Sequence, residues 1–365
     1  MAMAENLDSD SGSASTHVMP FEIRRLASRL NPATNPQDVV AATVAEILTL
    51  DLTDYEEVVY LASAAMKNEH HDATAHLLEN AVRVRPEGSI LSRAGYTARE
   101  HALRFRLAQK SSDSIVEAGL TTLRSPEPRH FTHLPHVGFD FMREVSEHGG
   151  REIPRTIHQI WIGGRAAPQQ PQDEWGEWCE KYGYRYRLWD EDACRTLSCY
   201  SGAPFRSFYG QKRFAGAADI LRAEILALHG GLYLDMDMFP VDTGYSLHEV
   251  LPMRGMLCLA SKSYRKMTAG GLYVTNSVLG GTAGHPVMRR YFDAMEPSWR
   301  RMPQESAWWS VGACLLTASL VGACNTISPD HVGSLGKADF DDRHKALRDI
   351  NKKRTMLFFS AKPWR

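Results

Sequence analysis

In the first third of the chain, apolar residues recur at the spacing of an amphipathic helix. Within residues 54–66 and 72–84 they stand three or four positions apart, and Pro86 ends the second segment. The surrounding stretch continues this helical pattern. We therefore predict a helical N-terminal subdomain over residues 19–128.

Beyond a linker at Ser125-Pro-Glu-Pro128, short apolar runs alternate with helical segments. The runs typical of strands are residues 153–162, 184–189, 232–234, 256–260 and 274–279, and helical segments lead to Arg222 and cover residues 286–295. Strands that alternate with helices form a largely parallel sheet covered on both faces. The fold class predicted for residues 129–365 is therefore α/β, with ligands bound where strands end.

Two parts of the N-terminal third have a composition of their own. Residues 1–18 are rich in Ser, Asp and Gly and bury too little to order themselves, so we expect a disordered leader. Residues 54–86 resemble one tetratricopeptide unit, with small residues where two helices would touch, although no second copy is evident. Two interpretations stay open for this stretch: a helical cap on the catalytic domain, or a module that docks a protein partner.

Composition narrows the class of protein. The formal net charge of −1 over 365 residues lacks the basic excess of a nucleic-acid binder. No apolar run is long enough to span a bilayer, and the N-terminus lacks the basic and then apolar pattern of a secretory signal peptide. The six cysteines show neither C-x-x-C spacing nor the density of a disulfide scaffold, so we expect reduced thiols. We expect a cytoplasmic protein, as in a bacterial cytosol; an effector exported by a signal that is not readable here is the alternative.

Asp235 and Asp237 are the candidates for metal chemistry. They follow a buried-looking strand, and because strand side chains alternate between faces, the two carboxylates are expected to point the same way. Carboxylates held close together repel each other, and a hard divalent cation with oxygen ligands relieves that repulsion. Asp-x-Asp also occurs at residues 8–10, 190–192 and 339–341, but only this copy follows a buried-looking strand.

A family resemblance rests on four ordered motifs within residues 153–322. They are Ile157-His-Gln-Ile-Trp-Ile-Gly-Gly164, Leu188-Trp-Asp-Glu-Asp192, Ala218-Asp-Ile-Leu-Arg222 and Gly230-Gly-Leu-Tyr-Leu-Asp-Met-Asp237. These motifs are similar to those of the sugar-binding-region glycosyltransferases with an Asp-x-Asp motif. That group includes yeast initiating mannosyltransferases and the catalytic domains of large clostridial glucosylating toxins.

The resemblance implies a GT-A fold, a nucleotide-sugar donor, Mn²⁺ (or Mg²⁺) as cofactor and retention of the anomeric configuration. UDP-glucose and UDP-N-acetylglucosamine are the first expectations for the donor. The acceptor is an unidentified hydroxyl of a protein, a glycan or a natural product, because the toxin insertions that bind host proteins have no evident counterpart in this sequence.

The resemblance also assigns roles to individual residues. Asp237 is expected to be the main metal ligand, and Asp235 to contact ribose and metal. Asp219 and Arg222 lie three positions apart on one helix face and are expected to bind hydroxyls of the donor sugar; the alternative is a surface ion pair. Asn276 is expected near the donor sugar and the acceptor.

The remaining assignments concern donor binding and closure of the site. Trp161, at a strand end, is a candidate platform for the base, and Ile160 before it is placed in the same substrate-binding set. Tyr233 shares the strand face of the first carboxylate and is expected at the donor or in the core. Near the C-terminus, Ser360 and Trp364 are expected in a lid that closes over the diphosphate; a frayed terminus is the alternative.

Two other classes would use part of the same pattern. A Mg²⁺-dependent phosphohydrolase or nucleotidyltransferase would need further acidic ligands and a phosphate-binding Gly-rich loop, and no G-x-x-x-x-G-K-[ST] is present. A non-catalytic interaction protein built on the helical cap would not need its acidic pair intact. Turnover of a UDP-sugar that depends on Mn²⁺ distinguishes the glycosyltransferase from both.

Overall fold

A computed structural model of the chain describes residues 18–260, 274–303, 305–320, 325–327, 332–334 and 359–361, with side chains up to residue 320. The chain divides into two compact units, one up to Glu127 and one from Pro128. The predicted leader, residues 1–18, lies almost wholly outside the described residues.

The unit up to Glu127 is helical as far as the structure describes it. Its helices are α1 Phe21–Arg29, α2 Gln37–Thr49, α3 Tyr55–Lys67, α4 His71–Val84, α5 Ala98–Lys110 and α6 Ser114–Thr122. The helices predicted at residues 54–66 and 72–84 are confirmed by α3 and α4. The side chain of Asp54 caps α3 by accepting a hydrogen bond from the backbone of Glu57. Alanines at the α3 and α4 contact are fully buried: Ala62, Ala65, Ala73 and Ala81.

The unit from Pro128 contains the predicted alternation of strands and helices. Its helices are α7 Phe139–Gly149, α8 Gln169–Tyr182, α9 Glu191–Cys194, α10 Ala203–Gly210, α11 Phe214–His229, α12 Leu247–Val250, α13 Pro286–Arg301, α14 Ala307–Ser310 and α15 Ala313–Ser319. Its strands are β1 Thr156–Ile160, β2 Arg185–Trp189, β3 Gly231–Leu234, β4 Met238–Pro240, β5 Met256–Ala260, β6 Val274–Gly281, β7 Asn325–Ile327, β8 Val332–Ser334 and β9 Phe359–Ala361.

The strands form two sheets. The larger sheet has the order β2-β1-β3-β6-β5-β7. In it β1 is parallel to β2 and β3, β5 is parallel to β7, and β6 runs antiparallel to both of its neighbours. The smaller sheet has the order β4-β9-β8. The prediction of a largely parallel α/β sheet is thus confirmed.

Both faces of the larger sheet are covered by apolar side chains. Alternate residues of β3 show this: Leu232 and Leu234 enter a core with Trp175 of α8, while Tyr233 enters another core with Leu221 of α11. All described cysteines are buried (Cys179, Cys194, Cys199, Cys258 and Cys314). In the described part of the chain, no helix has the length and apolar character needed to cross a bilayer.

Candidate active site

The acidic pair lies on a turn at the carboxyl end of β3. The strand ends directly before Asp235, and the backbone N–H of Met238 donates to the carbonyl of Asp235 at 2.9 Å, which closes a four-residue turn with Asp237 in its third position. The N–H of Asp235 donates to the carbonyl of Ser277 on β6 at 3.0 Å. Strand alternation therefore does not extend to Asp237. The turn, rather than an extended strand as predicted, positions the two carboxylates.

The carboxylate of Asp235 is anchored by two buried side chains. Its Oδ1 lies 3.1 Å from Nη1 of Arg222 and accepts a hydrogen bond from the hydroxyl of Tyr233 at 3.0 Å. The guanidinium carbon of Arg222 lies 4.4 Å from the centre of the Tyr233 ring. A buried cation such as the Arg222 guanidinium is costly unless it is paired, so its pairing with the Asp235 carboxylate is favoured. This pairing and the Tyr233 hydrogen bond stabilise one orientation of the Asp235 side chain. Tyr233 thus shares the face of Asp235, as the sequence predicts.

The same guanidinium brings two further predicted residues together. Nη2 of Arg222 lies 3.0 Å from Oδ1 of Asp219, and Nη1 donates to the carbonyl of Asn276 at 2.6 Å. The amide of Asn276 donates to Oδ1 of Asp219 at 2.8 Å. The side chains of Arg222 and Asp219 are 5% and 12% exposed, which excludes a surface ion pair. Four residues from α11, the turn and β6 therefore form one polar network, in which Asp219 and Arg222 are buried and the other two are half-buried.

Asp237 has a different electrostatic setting. Burial, and then the neighbouring charge of Asp235, raise the pKa of the Asp237 carboxyl well above its usual range. Within the described residues, no salt bridge joins the Asp237 carboxylate to a basic side chain. A second positive charge at the turn would relieve this repulsion.

The donor set fits a hard divalent cation. Asp235 and Asp237 offer carboxylate oxygens, the ligands that Mn²⁺ and Mg²⁺ prefer. In the ranges that the structure describes, no group of three or more His, Cys, Asp or Glu side chains forms a closed metal site. Two carboxylates with open positions suit a cation whose other ligands are water and the oxygens of a diphosphate.

Three residues that the sequence analysis missed hold the turn through hydrogen bonds, directly or through one another. Nε2 of Gln159 on β1 is within hydrogen-bonding distance of the carbonyls of Asp235, at 3.1 Å, and Met238, at 3.4 Å. The indole of Trp175 donates to the same Met238 carbonyl at 2.8 Å, and the hydroxyl of Tyr186 donates to Oε1 of Gln159 at 2.9 Å. No local pattern in the sequence indicates these contacts, since each joins residues from separate elements.

The exit of β1 holds Trp161, predicted as a platform for the base, and Ile160, predicted in the substrate-binding set. Trp161 is half-buried, and its indole N–H donates to the carbonyl of Arg165 at 2.8 Å. Its role as a platform for the base stays a prediction. The side chain of Ile160 is buried in the core. Any contact of Ile160 with a substrate would therefore come from its backbone.

The Gly-Gly turn after β1 is occupied by a side chain of the protein itself. The N–H groups of Gly163 and Gly164 both donate to Oε1 of Glu191, at 2.9 and 3.1 Å. The hydroxyl of Tyr209 donates to the same carboxylate oxygen. Successive backbone N–H donors of this kind form a binding site for an anion, and here the Glu191 carboxylate occupies it.

The C-terminal segment runs beside the strand that follows the acidic turn. In β9, Ala361 pairs with Met238 and Ser360 pairs with Phe239, both on β4. Trp364 lies outside the described residues, and the lid roles of Ser360 and Trp364 stay predictions. The backbone pairing places residue 361 opposite the residue that directly follows Asp237.

Comparisons with known proteins agree with the motifs. Residues 169–252 match the family model for the glycosyltransferase sugar-binding region containing a DXD motif. An uncharacterised glycosyltransferase of Acanthamoeba polyphaga mimivirus is 34% identical over 147 residues, which are 39% of this chain and 55% of that protein. This chain thus spans about half the length of the curated relative that it matches.

Among solved structures, the PaToxG glycosyltransferase is similar over 68% of this chain and 87% of its own, with 16% identity and a TM-score of 0.38. The resemblance to the DXD-containing glycosyltransferases is confirmed by the match to the family model and by the mimivirus relative. The matched segment includes Asp219, Arg222, Asp235 and Asp237.

Proposed function

We propose that this protein is a retaining glycosyltransferase of the GT-A type that moves a hexose from a nucleotide sugar to a hydroxyl group. The donor is UDP-glucose or UDP-N-acetylglucosamine, the cofactor is Mn²⁺ or Mg²⁺, and the acceptor is a protein, a glycan or a natural product. One observation supports this most directly. Asp235 and Asp237 share a turn at the end of β3, inside the segment that matches the DXD family model.

The acidic turn is the proposed metal and diphosphate site. When bound, the cation neutralises charge on the departing diphosphate. Asp237 supplies the carboxylate that lacks a basic partner among the described residues. Asp235 supplies the second carboxylate, already fixed by Arg222 and by the Tyr233 hydroxyl. Charges fixed before the substrate arrives need little reorganisation during the reaction.

The polar network beside the turn is the proposed sugar site. Arg222 contacts Asp235, Asp219 and the backbone of Asn276, so it positions these groups relative to one another. The carboxylate of Asp219 and the side-chain amide of Asn276 are suited to hydrogen bonds with sugar hydroxyls. Contacts that strengthen as the glycosidic bond breaks would raise turnover more than nucleotide affinity.

The N-terminal unit and the cellular location complete the proposal. The α3 and α4 hairpin, within residues 54–86, is a proposed docking surface for a protein partner, with Tyr60 37% and Val82 43% exposed on it. The proposed location is the cytoplasm. Deletion of residues 19–127 tests the docking role. If the unit docks a protein, transfer to a small-molecule acceptor should persist while transfer to a protein acceptor is lost.

A panel of nucleotide sugars tests the proposed activity. Purified protein is incubated with UDP-, GDP- and ADP-sugars, with Mn²⁺ or with EDTA, and the release of nucleotide is measured. We expect release from one UDP-hexose with Mn²⁺ and none with EDTA; NMR of the product should show the donor's anomeric configuration. Release of inorganic phosphate instead would favour the phosphohydrolase class, and turnover unaffected by EDTA would contradict the metal role.

A further inference from the structure

Gln159 lies beneath the turn that holds the two carboxylates. It belongs to β1, is 0% exposed, and its Nε2 lies 3.1 Å from the carbonyl oxygen of Asp235 and 3.4 Å from that of Met238, the first and last residues of the turn. Its Oε1 lies 2.9 Å from the hydroxyl of Tyr186 on the neighbouring strand β2. One side chain therefore spans both ends of the turn.

The partners of Gln159 determine how its carboxamide is oriented. Carbonyl oxygens accept hydrogen bonds and cannot donate them, so the amide NH₂ group must face Asp235 and Met238. Its two N–H groups provide one donor for each carbonyl. The amide oxygen then faces Tyr186, whose hydroxyl donates to it. The reverse orientation would place the amide oxygen of this fully buried side chain against two carbonyl oxygens, with no hydrogen-bond donor between them.

Other elements hold the same turn ends. The Met238 carbonyl also accepts from the indole of Trp175 on α8, and the N–H of Asp235 donates to Ser277 on β6. The backbone of the turn is therefore tied to β1, α8 and β6. Gln159 differs from Trp175 and Ser277 because its one side chain contacts both ends, in addition to the backbone hydrogen bond from Met238 to Asp235 that closes the turn.

We propose that Gln159, oriented by Tyr186, is a positioning residue that sets the relative placement of the Asp235 and Asp237 carboxylates for the divalent cation. This inference rests on the proposed function, because it assumes that the turn holds a cation. Groups that orient metal ligands through hydrogen bonds typically contribute about 10–100-fold to metal affinity. Gln159 acts through the backbone of the turn and touches no reacting atom.

The test compares Gln159→Leu and Tyr186→Phe with the wild-type protein. Mn²⁺ affinity is measured in the presence of UDP by the electron paramagnetic resonance of free Mn²⁺, well below each variant's melting temperature. Hydrogen exchange of the Met238 amide, measured without metal, reports on the turn itself. We expect Gln159→Leu to weaken Mn²⁺ binding about 10–100-fold and to speed exchange at Met238. Tyr186→Phe should have the same effects to a smaller extent.

Tyr184→Phe is the matched control, since this neighbouring tyrosine is buried and its hydroxyl is hydrogen-bonded to His248 instead of to Gln159. It should lower stability and leave Mn²⁺ affinity unchanged. Wild-type Mn²⁺ affinity and wild-type exchange in Gln159→Leu would overturn the inference. Equal loss of affinity in Tyr184→Phe and Tyr186→Phe would also overturn it. A wild-type protein that binds no Mn²⁺, while Gln159→Leu still speeds exchange at Met238, would contradict the proposed function and support the role of Gln159 in holding the turn.

Discussion

At the scale of single residues, Arg222 contacts three groups of the candidate site at once. Its two Nη atoms contact Asp235, Asp219 and the carbonyl of Asn276. A guanidinium can do this because its N–H groups lie in a rigid plane, whereas a lysine ammonium is a single point on a flexible stem. The buried position of Arg222 over the Tyr233 ring further restricts its orientation.

Arg222→Lys keeps the charge and removes the planar fork. We expect sugar turnover to fall about tenfold or more, on the order of one charged hydrogen bond. UDP affinity should change less than turnover, because two of the three groups that Arg222 contacts, Asp219 and Asn276, belong to the proposed sugar site. Asp219→Ala should behave alike. Steady-state kcat and calorimetric titration with UDP check this, and an equal loss of UDP affinity would indicate a nucleotide-facing or structural pair.

Asp235→Asn and Asp237→Asn should change the stability of the metal-free protein in opposite directions. The pKa of Asp237 is raised by folding, so above its unfolded pKa the folded state binds more protons and stability falls as pH rises. Removing that charge should raise the melting temperature at pH 8. Asp235→Asn takes a partner from Arg222 and should lower the free energy of unfolding by about 1–3 kcal/mol. The melting temperature should fall by about 2–4 °C for each kcal/mol. Scanning fluorimetry in EDTA checks both variants; a lower melting temperature for Asp237→Asn would contradict the electrostatic assignment.

At the scale of elements, long periodic segments were predictable and short non-local ones were not. The sequence predicts β1, β2, β3, β5 and β6 and the helices α3, α4, α11 and α13, because each has apolar residues at its own period. It does not predict β4, β7 or β8, which are three residues long and pair with distant segments. Period-two alternation suggested that the strand continued through Asp237, although a turn intervenes.

The candidate site was likewise only partly predictable from the sequence. Asp219, Arg222, Tyr233 and Asp235 were identified through the resemblance to a glycosyltransferase family, and the helix and strand periods predicted which of them share a face. Gln159 was not, because its partners lie 76 and 79 positions away and a buried strand amide gives no local signal.

The pairing of β9 with β4 motivates a prediction about the C-terminal tail. β9 ends at Ala361, opposite Met238, and Trp364 stands three positions after Ala361 in the sequence. We expect Trp364→Ala, or truncation after Ser360, to lower transfer about tenfold or more, on the order of one hydrogen bond to the leaving group. The melting temperature of Trp364→Ala should stay close to that of the wild type. Unchanged turnover in both variants would refute a lid.

At the scale of the whole molecule, each unit contains buried histidines that resist protonation. Burial lowers the pKa of His101, His158 and His285 to about 4. In His158 both ring nitrogens are used: the donor-only indole of Trp189 donates to Nδ1, so Nε2–H donates to the carbonyl of Gly230. Protonation of this ring would break the first of these hydrogen bonds.

Acidification should therefore destabilise both units. In the unfolded chain these histidines take up protons near pH 6.5, whereas in the folded protein they do so near pH 4. Between these values the unfolded state binds more protons, so the free energy of unfolding falls as pH falls, by at most about 3 kcal/mol for each histidine. Urea unfolding at pH 7.5, 6.5, 5.5 and 5 measures this slope. A free energy that stays constant below pH 6.5 would contradict the burial of neutral histidines.

The most direct test of the central claim is a Mn²⁺ titration of UDP-sugar hydrolysis by the wild type and by Asp237→Asn. Asp237→Asn keeps the size of the side chain and removes the carboxylate that is expected to be the main metal ligand. We expect saturable stimulation of the wild type by Mn²⁺, complete loss with EDTA, and no stimulation of Asp237→Asn, whose circular dichroism spectrum should match the wild type. Equal stimulation of both proteins by Mn²⁺ would contradict the assignment of the acidic turn as the metal site.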